Sequence, residues 1–132
     1  MLDDHDDTHD SNAKQPRWRF DHHSLDAYRI ALDALVRGEA IVKALPRGYG
    51  DLADQTKRAL HGAFLQTAEA SARTGADRLA RFRAARGEAG EAAAAFEALE
   101  RLGVADTAAV DAELELLWRL CACLFRLAKL RR

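Results

Sequence analysis

Apolar residues in this chain recur at spacings of three and four in four long stretches, and nowhere do they alternate one for one with polar residues. The first spacing belongs to one face of an α-helix; the missing alternation is the mark of a half-buried strand. The chain is therefore expected to be all-α. The stretches are separated by Pro46-Arg47-Gly48-Tyr49-Gly50, by Thr74-Gly75 and by Gly103. Proline cannot continue a helix, and glycine accepts the left-handed turn that ends one. At 132 residues there is room for one domain and no second.

The spacing predicts four helices. The first starts at Ser24 as N-cap and runs to about Leu45, with Leu25, Tyr28, Leu32, Leu35, Val42 and Leu45 as its apolar stripe. The second covers roughly 52–72 behind Asp51 as cap. The third runs from about 77 to 102 with Leu79, Phe82, Ala85, Ala89, Ala92, Phe96 and Leu99 on one face. The fourth starts behind Asp106 or Thr107 and continues to about Leu130. Short connections make consecutive helices antiparallel neighbours, so the expected architecture is an up-and-down antiparallel four-helix bundle over 20–132. Residues 1–19 carry few apolar side chains and are expected to be a disordered acidic tail, with Trp18 and Phe20 fastening the chain to the body.

The fourth helix carries more apolar surface than one stripe. One row is Val110, Leu114, Leu117, Cys121, Leu124 and Ala128; a second is Leu116, Leu120, Cys123, Leu127 and Leu130; Trp118 and Phe125 lie on another flank. A bundle helix needs one apolar stripe of somewhat over 100°. Each Leu left wet forfeits roughly 1.5–3 kcal/mol of burial. A large apolar patch usually marks an interface. The expectation is self-association through Leu116, Trp118, Leu120, Cys123, Phe125, Leu127 and Leu130, against the plainer reading that the chain itself covers this helix. The second and third helices are rich in Ala and Gly, and Gly87 and Gly90 suggest close approach of a neighbouring backbone.

A formal net charge of −1 hides an asymmetry. Residues 1–13 hold five Asp and no Lys or Arg, whereas the remainder holds 20 basic against 16 acidic residues. Lys57, Arg58, Arg73, Arg78, Arg81, Arg83 and Arg86 face only Glu69 and Asp77 over 57–86. Arg119, Arg126, Lys129, Arg131 and Arg132 close the chain without an acid. Such clusters attract phosphate backbones, or they are solvated helix faces and cations placed favourably near a helix C-terminus.

Signals for catalysis are missing. No Glu-x-x-His occurs, which a di-metal carboxylate bundle requires. His5, His9, His22 and His23 have no fixed ligand geometry. Cys121-x-Cys123 is neither a redox nor a zinc pattern, and both thiols are expected to pack as small apolar groups. No glycine loop cradles phosphate. No catalytic residue, metal or cofactor is expected. No apolar run approaches 18 residues and the acidic start lacks a secretory signal, so the expected location is the cytoplasm.

Several segments point further. They are Leu25-x-x-Tyr28-x-x-Ala31; Leu45-Pro46 followed by LADQTKRA from Leu52 to Ala59; Ala68-Glu69; and FRAARGEAGE, with Phe82, Ala85, Gly87, Ala89 and Glu91. Over about residues 20–130 the chain resembles the four-helix-bundle proteins encoded in intervening sequences of bacterial 23S rRNA genes, a superfamily that includes the accessory variability determinant of diversity-generating retroelements. The corresponding family segments read LTDQLRRA, NIAEG and FLRIARGSAxE. Here Gln66, Ala70 and Glu88 replace the family's Asn, Gly and Ser. The resemblance implies an up-and-down bundle that assembles into a homopentameric ring, and it makes nucleic acid a candidate partner. The polar residues of these segments, Gln55, Arg58, Glu69, Arg86 and Glu91, are read first as register-fixing pairs between the second and third helices. The two functional readings are a non-catalytic oligomeric scaffold and a nucleic-acid-binding accessory protein.

Overall fold

The computed structural model describes residues 18–129. A 3-10 turn, Asp21–Ser24, leads into four helices: α1 Asp26–Lys43, α2 Gly50–Ala70, α3 Gly75–Arg101 and α4 Thr107–Leu127. No strand occurs among the described residues. Each helix packs against its neighbours in sequence, and α1 closes the ring against α4. The contacts run antiparallel. Tyr28 meets Phe64 and Glu39 meets His61 between α1 and α2. Gly62 faces Glu88 and Glu69 meets Arg81 between α2 and α3. Arg83 and Arg86 lie beside Ala128 and Phe125 at α3 and α4.

Helix ends follow local chemistry, with some changes from expectation. Asp106 is the N-cap of α4, its carboxylate accepting from the Ala109 N–H at 2.9 Å. Ser24 does not cap α1. It closes the 3-10 turn instead, donating to the Asp21 carbonyl, and Leu25 takes the cap position. Asp51 lies inside the first turn of α2, where its charge favours the N-terminal dipole, and Tyr49 precedes the helix. The left-handed backbone falls at Gly48 and Gly103 in their connections and at Gly75, the first residue of α3.

The core is built mostly from small residues on α1 and α2, from small and large ones on α3, and from large ones on α4. α1 turns Ala27, Ala31, Ala34, Gly38 and Ile41 inward; the expected Leu25–Leu45 stripe flanks this face, half-buried. α2 buries Thr56, Ala59, Leu60, Ala63, Thr67 and Ala70. The two threonine hydroxyls donate to the carbonyls of Leu52 and Ala63, one turn back, at 2.7 Å each. α3 adds Ala85, Ala89 and Ala92 with Phe82, Phe96 and Leu99. α4 supplies Val110, Leu117, Leu120 and Leu124. Small faces draw the backbones together, and the leucines and two phenylalanines fill what remains. Gly62 fits this reading, because a Cβ there would meet the Glu88 carboxyl carbon at 2.6 Å. Gly87 and Gly90 do not: a Cβ at either would meet nothing within 4 Å. They lie on the outside of α3, not at a close approach.

Candidate interaction surface

The outer side of α4 is where an apolar helix meets solvent. Trp118 is 71% exposed and Phe125 43%. Seven residues apart, they stand two helical turns from each other on one face. Around Trp118 a shallow groove runs between α4 and α1, bordered by Ile30, Asp33, Arg119 and Ala122. Phe125 carries two cations. The Arg86 guanidinium lies 4.8 Å from its ring centroid and the Lys129 ammonium 4.3 Å.

The rest of the expected interface set divides. Leu116, Cys123 and Leu127 are half-buried against the core. Cys123 and Leu127 share a hollow with Ser24, Leu25 and Ala27 at the start of α1. Leu120 belongs to the core, 0% exposed, and is removed from the interface set. Leu130 lies outside the described residues, as do Arg131, Arg132 and the acidic stretch 1–13. The second row of α4 is thus partly covered by its own chain, because the alanine-lined face of α1 lets α4 sink towards it. Trp118 and Phe125 are what the chain leaves uncovered. Trp18 and Phe20 also remain largely exposed. Phe20 stacks on His22 with near-parallel rings 5.7 Å apart, His22 lies against Tyr28 of α1 at 4.4 Å, and Tyr28 against Phe64 of α2 at 5.4 Å.

The basic residues of 57–86 take separate places. Arg73 and Arg81 close a network with Glu69 and Asp77; Arg73 reaches Glu69 at 2.6 Å and Asp77 at 3.1 Å, and Arg81 reaches Glu69 at 3.2 Å. Two guanidinium groups meet two carboxylates, so this network has no surplus charge. Arg78 donates to the Ala70 and Ser71 carbonyls, both at 3.4 Å, where α2 ends, and lies over the Phe82 ring. It complements the negative end of that helix. Lys57 and Arg58 are exposed on α2 and form no ion pair among the described residues. Arg83 reaches only the Ala128 carbonyl, at 3.5 Å. Arg86 and Lys129 therefore flank one half-exposed aromatic ring, with Arg83 at the Ala128 carbonyl, and none of the three is paired to a carboxylate among the described residues. Among the described residues, the expected ion pairing across α2 and α3 is met by Glu69 and Arg81; Gln55, Arg58 and Glu91 are exposed.

No group of three or more metal-ligating side chains occurs among the described residues. Both cysteines are free and half-buried. The Cys121 thiol points at the Arg86 carbonyl, at 3.9 Å, and burial raises its pKa above the ordinary value. No helix among the described residues is long and apolar enough to cross a membrane.

One polar residue escaped the sequence reading. Glu113 sits on the inward face of α4, fully buried. Its signal was available: Val110, Glu113, Leu117, Leu120 and Leu124 recur at three and four, so the glutamate occupies a core position of that row. No known family model matches the chain, and no curated protein matches it.

Proposed function

We propose that this chain is a non-catalytic, homo-oligomeric four-helix-bundle scaffold or interaction protein, assembled through the outer face of α4. The observation that carries the reading is Trp118, 71% exposed on the same face of α4 as the half-exposed Phe125. Tryptophan is enriched at the centres of interfaces, where its large amphipathic surface is desolvated. The assembly would be a ring of five copies, on the resemblance to the 23S intervening-sequence proteins. Light scattering on the full chain tests it. The expected mass is five times the 14.6 kDa of one chain; a 14.6 kDa species at micromolar concentration ends the reading.

A second reading has its own support. Arg86 and Lys129 on the Phe125 ring, with Arg83 one turn along α3 from Arg86, combine cations for phosphate with an aromatic face for a base. In a ring this group would repeat with the symmetry, and weak contacts would sum. Mobility shifts with RNA and DNA at two salt concentrations test it. Binding that weakens steeply with salt, and is lost in the double variant Arg83→Glu, Arg86→Glu, is the expected result. No shift at low salt leaves the scaffold reading alone.

A further inference from the structure

Among the described residues three polar side chains are fully enclosed, Thr56, Thr67 and Glu113, and Glu113 is the ionisable one. It is 0% exposed, and neither carboxyl oxygen has a hydrogen-bond partner among the described residues. The room it occupies is opened by Gly38 of α1. A Cβ at Gly38 would stand 2.8 Å from Glu113 Oε2, 2.5 Å from Leu60 Cδ1 and 3.1 Å from Phe96 Cζ. All four helices thus converge on this carboxyl. α2 and α3 bring the apolar groups Leu60 and Phe96 to it. The charged group that acts on it is Arg37 of α1, which is itself exposed.

A buried carboxylate without partners is far more costly than the neutral acid of the same shape. Arg37 favours the anion. Burial outweighs it and pushes the Glu113 carboxyl up to about 8 from the ordinary 4.5.

We propose that Glu113 and Gly38 form a proton-dependent lock at the centre of the bundle: Glu113 enters the fold as the neutral acid, so the bundle tightens as pH falls. The direction follows from proton counting. Between 4.5 and about 8 the folded chain keeps a proton that the unfolded chain has lost. Stability therefore declines as pH rises through this window, and the decline is complete above it. At most one proton is linked to folding, so each pH unit changes the folding equilibrium by up to about tenfold. The lock does not depend on the assembly reading, since all its parts lie within one chain.

The test is urea unfolding of the full chain, followed by helical circular dichroism at pH 5.5, 6.5, 7.5 and 8.5 and one fixed protein concentration. Wild type and Glu113→Gln are compared. The expected result is a folding constant that falls with pH in the wild type by up to about tenfold per unit relative to the variant. Parallel profiles overturn the proposal. A second measurement guards against a variant that does not fold. In the 13C spectrum of the wild type, the Cδ signal of Glu113 is expected to titrate well above the ordinary 4.5, at about 8. Titration of that signal near 4.5 overturns the proposal equally.

Discussion

Three glycines inside helices of this bundle have opposite consequences, although nothing in their immediate sequence separates them. Gly38 lies where a methyl group would press on Leu60, Glu113 and Phe96. Gly38→Ala is expected to destabilise the chain by about 1–3 kcal/mol, the usual range for overpacking a filled core. Gly87 and Gly90 face open space. Gly87→Ala and Gly90→Ala are each expected to stabilise by about 0.5–1 kcal/mol, because alanine loses less backbone entropy in a helix. Thermal unfolding of the three variants at one concentration checks the signs; equal shifts in all three would mean that the inner face of α1 is misassigned. The same logic explains why Glu113 was overlooked. Its position in the α4 row was legible, but the glycine that makes room for it lies 75 residues away in the chain.

At the scale of the element, α4 joins a defined start to an undefined outer face. Its start is a side-chain cap, so Asp106→Ala is expected to cost about 1 kcal/mol, read as a lower unfolding midpoint, with Asp106→Asn nearly neutral. Its outer face is more divided than a row-by-row reading of apolar residues implies. Periodicity gave the helix and its inward face correctly: Val110, Leu117, Leu124 and Ala128 are all buried. It misplaced Leu120 because that residue stands only about 60° from Leu117 around the helix, and the partner decides which of two such positions is enclosed. α1 shows the same effect from the other side. Its leucines suggested a leucine face, yet the buried line is Ala27, Ala31, Ala34 and Gly38. When α4 brings the bulk, the helix opposite contributes most by being thin.

At the scale of the whole molecule, the prediction concerns Trp118. If the assembly uses this face, Trp118→Asp leaves the helical signal unchanged, because the residue is largely solvated in the single chain, and lowers the light-scattering mass. An unchanged mass with an intact fold would move the interface elsewhere. By itself the sequence determined four helical stretches, their breaks at three glycine-bearing connections, and a cap for the last helix at Asp106 or Thr107. These features arise from contacts within a few residues, whose geometry is the same in any fold. Only the tertiary structure decided which face of α1 turns inward, that Leu120 is enclosed while Trp118 is not, that Arg73 and Arg81 are neutralised by Glu69 and Asp77 while Arg86 is left beside Phe125, and that a carboxyl lies at the centre of the bundle. Those outcomes depend on the size and charge of side chains brought from other helices, and a periodic pattern along one helix carries no record of what will stand across from it.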